Sequence, residues 1–438
     1  MVGFLKKFSD LKSKDTKRVF TNFLSLSVLQ GANLLLPLVT FPYLVRVLGI
    51  EGFGLIQFAI ATITYFEIVT DYGFDLSATR QISIHRNDKE KMISIFSSVL
   101  IIKAVLCFVS FGLLALLVFS FDKFSEFWMV YLLTFGRVIG HFIFPVWFFQ
   151  GMERMKISTY LNLTAKFIFT VAIFFFVKQK EDIYLVPIFN SLGFIIAGMI
   201  ALLEIRYVFG VSFKFQSKVT LLEQLKDGWH IFLSRIYVNI YTTTNTFLLG
   251  VMTNNLIVGY YSVAAKIVEA FNSIFQPANN ALYPYMSKLY HDNIKKFYAL
   301  IRQMNIVFFV MAVCILAGAV LLGKFAIEVV NGKFDQEIYV MYNILVFKTI
   351  VSPYAYFFSN VFINQNRKAQ YLKVVKYTFV ANLLLVPVCV YFFNGVGMAF
   401  GVLFVSVFHV WLFLRFKLNT EEPKKATTDL EPQPVEQF

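Results

Sequence analysis

Four basic side chains, Arg137, Arg235, Lys266 and Lys348, stand inside otherwise apolar runs of this 438-residue chain. A Lys or Arg at mid-bilayer costs about 2.5–3.5 kcal/mol on insertion scales, so a cation kept there has a task or a partner. Polar groups accompany them at helical spacing. Gln30 and Asn33 share a face with Asn22, Pro37 and Thr40, and Gln57, Thr64, Glu67 and Asp71 share another. Arg235, Asn239, Thr242 and Thr246 form a third stripe, and Lys266, Glu269, Ser273, Gln276 and Asn280 a fourth. Fixed cations beside amide donors suit a large anion such as a pyrophosphate or an acidic sugar. Interhelical polar contacts explain the Asn, Thr and Ser positions equally well. Glu67, Asp71 and Glu269 are candidates for ion coupling, or more simply neutralise nearby lysines. Asp71, Asp75 and Arg80 are expected to cluster at a helix end, as structure or as a gate.

These side chains need elements to hold them, and composition says in what solvent. With 58% hydrophobic residues, 15% charged and 53 Phe, the chain has more apolar surface than a soluble interior can hide, so lipid surrounds most of it. Cys107, Cys314 and Cys389 lie within apolar runs and behave as small hydrophobes, without a disulfide framework or zinc site.

Twelve stretches approach the ~20 apolar residues that a bilayer crossing needs: 19–45, 52–70, 92–120, 124–149, 158–177, 183–205, 228–251, 257–286, 299–322, 338–364, 372–393 and 396–414. The first is too long for a signal-peptide core and is expected to remain as an anchor. With the N-terminus inside, cytoplasmic segments together with Arg302 and Lys373 at the adjoining span ends hold 27 Lys/Arg and outer loops six. That bias places both termini in the cytoplasm and explains the net charge of +14 without nucleic acid. The basic N-terminus can also touch anionic lipid. Lys103, Lys166 and Lys376 lie near predicted span ends and are read as snorkelling or structural.

The chain reads as duplicated. GFGLIQFAIATI around Gly54 is echoed by VGYYSVAAKI around Gly259, and FFQGMERMKISTYLN by VFINQNRKAQYLKVV. The expectation is an all-α polytopic membrane protein of two six-helix lobes, related by a parallel pseudo-twofold with a cavity between them. Residues 1–18 form a basic N-terminus, 19–205 the first lobe, 206–227 a cytoplasmic link, 228–418 the second lobe and 419–438 a disordered tail rich in charge and proline. Eight of eleven prolines fall in the spans and permit kinks. The five His have no metal-ligand spacing, and neither a GxxxxGK[ST] phosphate loop nor a glycine-rich cradle is present. No enzyme activity and no cofactor are expected.

PLVTFPYLVRVLG (37–49), DYGFDLSATRQIS (71–83), PVWFFQGMERM (145–155) and LKDGWHIFLSRIYVNIYTTTNTFLLG (225–250) resemble the motifs of Wzx-type O-antigen flippases, in the polysaccharide transporter branch of the multidrug/oligosaccharidyl-lipid/polysaccharide exporter superfamily. The likeness spans residues 19 to 418. It implies a protein of the bacterial inner membrane that moves an undecaprenyl-pyrophosphate-linked oligosaccharide outward, with membrane lipid and other polysaccharide-assembly proteins as partners. It also implies a central cavity lined by helices one, two, seven and eight, and fixes no substrate-contacting residue. Joined to the stripes, the expectation is an anion held by Arg235 and Lys266, with Lys348, Arg137, Asn33, Gln30 and Asn239 assisting. The alternatives are a drug/cation antiporter, which would want an acidic cavity, and a membrane glycosyltransferase or ligase, which would want a larger outer loop.

Overall fold

The computed structural model describes the backbone from Lys14 to Leu418, and side chains from Leu36 onward apart from 230–231, 234–243, 277–278, 280–281, 284, 291, 368 and 417–418. The expectations for residues 1–13, for the 419–438 tail and for the side chains of Gln30, Asn33, Arg235, Asn239 and Asn280 lie outside the described residues. The described elements are helical throughout. They run α1 (Lys14–Asp71), α2 (Phe74–Ile84), α3 (Lys89–Ser120), α4 (Asp122–Ser125), α5 (Trp128–Thr134), α6 (Gly136–Ile143), α7 (Val146–Gly151), α8 (Met155–Phe176) and α9 (Leu185–Tyr207). The second part comprises α10 (Lys218–Met252), α11 (Asn255–Asn272), α12 (Phe275–Asp292), α13 (Ile294–Asn331), α14 (Gln336–Leu345), α15 (Lys348–Asn364) and α16 (Lys368–Leu418).

Among the described residues seven helices are long and apolar enough to cross a membrane, or eight when α14 and α15, bent by 42°, count as one. The protein is a multi-pass membrane protein. Two of the apolar stretches run 49 and 48 residues, more than twice a single crossing of ~20, and each is interrupted. Gly49 has φ 74° and ψ 171°, a conformation open essentially to glycine alone. Asn394 has φ 48° and ψ −128°. Both fall where the sequence places a turn between two spans.

Side-chain caps fix several other starts. Asp88 accepts from the Lys91 amide at 3.1 Å, Asn254 from Ile257 at 3.0 Å and Asn293 from Lys296 at 3.0 Å, satisfying amides that a helix start leaves open. Proline has varied effects here. Pro145 separates α6 from α7, while Pro187 lies in the first turn of α9, where a missing N–H costs little.

Buried apolar residues form three clusters, and their layout matters for function. One draws on both parts of the chain, from Leu44, Phe58 and Tyr131 to Val263, Tyr342 and Val402. The second holds Phe74, Phe96, Trp147 and Ile205, and the third Phe297, Phe308, Phe358 and Phe413. The molecule is therefore knit together at the end bearing Gly49, Thr253 and Asn394, and has separate cores at the other.

Glycine makes the joint end tight. A Cβ on Gly54 would sit 1.9 Å from the Asn255 carbonyl oxygen, and one on Gly259 would sit 2.1 Å from that of Ile50. The two glycines that mark the sequence echo thus face each other across the seam between α1 and α11. Small residues permit such approach in lipid, where no hydrophobic drive joins helices. Polar ties reinforce the joint end. Lys123 donates to the carbonyls of Val251, at 3.0 Å, and Thr253, beyond the end of α10. Arg46 donates to that of Val329 in the last turn of α13. Neither helix has a basic residue of its own in that turn, so cations from the first part meet the negative ends of two helices of the second.

Candidate functional site

A cavity of about 330 Å³ opens among α1, α5, α6, α8 and α9, with Lys266 of α11 reaching its wall. Its floor is apolar and aromatic, including Phe41, Phe53, Phe169 and Phe194. Its polar groups are Thr40, Gln57, Thr134, Arg137, Lys166, Thr170, Asn190 and Lys266. Among the described residues three cations line it and no carboxylate does.

Close helix packing brings these groups together. A Cβ on Gly136 would lie 2.6 Å from Ser191, and one on Gly140 2.6 Å from Phe194. The Gly136-x-x-x-Gly140 spacing therefore presses α6 onto α9 and sets Arg137 beside Asn190. Arg137 Nε donates to Glu67 Oε1 at 2.9 Å, and Nη1 to Asn190 Oδ1 at 3.2 Å. The pair is sheltered, with side-chain exposures of 19% for Arg137 and 12% for Glu67. One turn along both helices, Lys103 Nζ donates to Asp71 Oδ1 at 2.7 Å and to the His141 carbonyl at 3.4 Å. On the opposite wall the Thr40 and Thr170 hydroxyls lie 3.2 Å apart, joining α1 to α8. Lys266 Nζ stands 6.0 Å from the centre of the Phe41 ring, within cation–π range.

The arrangement divides the positive charge. Glu67 neutralises Arg137, so the side chain serves as a braced wall. Lys166 and Lys266 add positive charge to the lining, and the aromatic floor offers flat apolar faces. Such a site can hold an anionic group attached to something bulky and partly apolar.

The predicted residues fall into distinct groups. Arg137 and Lys266 line the cavity, and Glu67 reaches it through Arg137. Lys348, half-buried at the start of α15, is not in the lining, but it shares with Lys266 the field of Glu269, a carboxylate exposed on α11. Asp71 pairs with Lys103 instead of serving a cluster with Arg80, whose side chain is exposed. Asp75 lies beside it on α2, where its carbonyl accepts from the Thr79 hydroxyl at 2.6 Å. Among the described residues the lining comes from five helices of the first part and Lys266 of the second, and the side chains of 234–243, which carry the stripe expected on helix seven, lie outside the described residues.

Lys103, 3% exposed and paired with Asp71, takes the structural one of its two readings, and Lys166 sits in the cavity wall. A useful signal was present, because Lys166 and Thr170 are four residues apart on one helical face. Lys376 is exposed, in keeping with its reading.

The described residues form a many-helix bundle joined at one end, with a cavity lined by Arg137, Lys166 and Lys266. The bundle overlays a lipid II flippase MurJ in an inward closed conformation with TM-score 0.76 at 13% identity, over 91% of this chain and 88% of that one. An inward-facing multidrug resistance MATE transporter gives 0.70 at 14% identity, over 88% and 94%, and an outward-facing one 0.58 at 13%, over 89% and 92%. At such identities these likenesses speak for the fold. Residues 19–290 match the family described as polysaccharide biosynthesis protein, and the chain belongs to it. A protein of Escherichia coli (strain K12) named "Putative O-antigen transporter" is 29% identical over 404 residues, covering 91% of this chain and 97% of its own. One of Shigella dysenteriae bearing the same name is 26% identical over 407 residues, covering 90% and 98%. The Wzx-type recognition made on the four motifs agrees with these relatives.

Proposed function

We propose that the protein is a flippase for an undecaprenyl-pyrophosphate-linked oligosaccharide, an O-antigen or related repeat unit, in the bacterial inner membrane. On this reading twelve spans form two six-helix lobes. The breaks at Gly49 and Asn394 separate spans one from two and eleven from twelve, and both termini are cytoplasmic. The observation that carries the reading is the cavity wall, which among the described residues has Arg137, Lys166 and Lys266 and no lining acid. The relatives named as O-antigen transporters supply the substrate class.

The joint end would face the periplasm and the split end the cytoplasm, an inward-directed state, in keeping with the higher score against the inward-facing MATE structure. The glycan head enters from the split end. Its pyrophosphate settles against Lys166 and Lys266, with Arg137 held in place by Glu67, while the polyprenyl tail stays in lipid. Gln30 and Asn33, one to two turns before Leu36 on the same helix, together with Arg235, Asn239 and Lys348, would guide the head along the path. Glu67, Asp71 and Glu269, with Asp75 and Arg80 near the split end, are the candidates for coupling or gating. Rocking of the lobes then breaks the joint end and releases the glycan outward.

The test is a leaflet-resolved assay in liposomes with a short lipid-linked glycan, under set proton and sodium gradients. Active protein moves the glycan and Lys166→Ala/Lys266→Ala does not. Equal transport by the double variant would remove the anion site, and export of cationic dyes instead would favour an antiporter. A cation-rich lining argues against the latter.

A further inference from the structure

The segment that joins the two parts of the chain is not a free loop. Between the end of α9 and the Ser217 cap of α10 it runs extended beside α3. The Lys214 amide donates to Ser97 Oγ at 3.0 Å, and Ser94 Oγ donates to Gln216 Oε1 at 2.9 Å. These serines lie five and eight residues into α3, roughly 8 and 12 Å along its axis. Counting ~20 residues of hydrocarbon back from the far end of α3 at Ser120 puts the apolar boundary near residue 100. The linker therefore lies at headgroup depth, against the flank of the bundle rather than above it.

Its outward side is apolar and basic together. Phe215 is 90% exposed, Tyr207 75%, Val219 65% and Phe213 48%. The Phe213 and Phe215 rings stand edge to face at 5.2 Å, and the Arg206 guanidinium lies 5.7 Å from the Tyr207 ring centre. Arg206, Lys214 and Lys218 are exposed, and no acidic residue occurs from 206 to 218. Rings exposed to this degree would be costly in water but are at home in the interface, where aromatic residues gather.

We infer that residues 206–219 form a membrane-surface strap, with Phe213 and Phe215 seated among headgroups and Arg206, Lys214 and Lys218 drawing anionic phospholipid. The occupant is the bilayer itself. The three positive charges complement an anionic leaflet, and the pinned depth keeps the rings beside lipid. This inference is independent of what the protein transports.

The test places a single cysteine at Phe215, with the three native cysteines replaced by alanine, and labels it with a polarity-sensitive dye. The protein is set in nanodiscs of phosphatidylcholine alone or mixed with phosphatidylglycerol. Blue-shifted emission quenched by headgroup-depth spin-labelled lipid is expected. Water-like emission quenched by aqueous iodide in both discs would overturn the seating, including the case in which this face serves a soluble partner. Phosphatidylglycerol co-purifying with the protein should fall in Lys214→Gln/Lys218→Gln, each surface charge being worth about a fivefold bias. Unchanged enrichment in that variant, eluting as the parent does, would overturn the anionic-lipid preference.

Discussion

Arg137 and Glu67 meet across seventy positions of sequence, and their sheltered pair decides how the cavity presents its charge. Removing one partner from a buried pair leaves the other uncompensated, at about 3 kcal/mol. Glu67→Gln should therefore lower the thermal midpoint in detergent clearly, and Glu67→Gln/Arg137→Gln should recover part of the loss. Equal midpoints for parent and single variant would show that the pair carries no stability. Lys166→Ala should leave the midpoint near that of the parent while cutting glycan translocation by about tenfold, as loss of one charged hydrogen-bond donor would. At this scale the sequence revealed which side chains were costly but not whom they met. Arg137 was legible as a cation in an apolar run, and its acid was legible on another helix. Nothing local said that Gly136 and Gly140 would press α6 onto α9 and orient Arg137 toward Glu67. For Lys103 the sequence leaves snorkelling and a structural role both open, because one turn separates a snorkelling lysine from a buried one, and the pair with Asp71 decides for the structural role.

Helices were read more securely than faces. The apolar stretches are helical where the structure describes them, because lipid leaves the backbone few other choices, but several are broken, 124–149 into the short helices α4 to α7, 257–286 into α11 and α12, and 338–364 into α14 and α15. The echo around Gly54 and Gly259 has a physical meaning, since it marks the tightest crossing between α1 and α11. A Cβ at either position meets a carbonyl oxygen at about van der Waals overlap, 1.9 and 2.1 Å. Gly54→Ala or Gly259→Ala should push the joint end apart. The expected readout is faster labelling of a cysteine placed at Ile50 by an impermeant maleimide added from that side, and no change in rate would discount the seam as a seal. The stripes on helices one, two, seven and eight were harder to interpret. A periodic polar face says that something non-lipid lies beside it, and both a cavity and a neighbouring helix satisfy that. Tyr65 illustrates the second case, its hydroxyl donating to Thr244 at 2.9 Å between α1 and α10.

For the whole molecule, one shared cluster at one end and two separate clusters at the other make the joint end the place where a transport cycle has to work. Arg46 and Lys123 hold it through charge against helix ends, a contact worth roughly 0.3–1 kcal/mol apiece. Contacts that weak can be broken in each cycle. Arg46→Ala/Lys123→Ala should shift the resting population toward the opposite opening, read as increased spin-label separation between positions 50 and 255 by electron resonance. An unchanged distance distribution would assign the closure to packing alone.

Among the described residues the cavity draws its walls from 36 to 194, with Lys266 the exception. Lineages that diverge in the sugars they export would then accumulate their differences ahead of the strap, while the remainder, bearing the other half of the machinery, stays interchangeable. Splicing the front portion of one homologue onto the back portion of another should yield a hybrid that inherits cargo choice from its N-terminal parent.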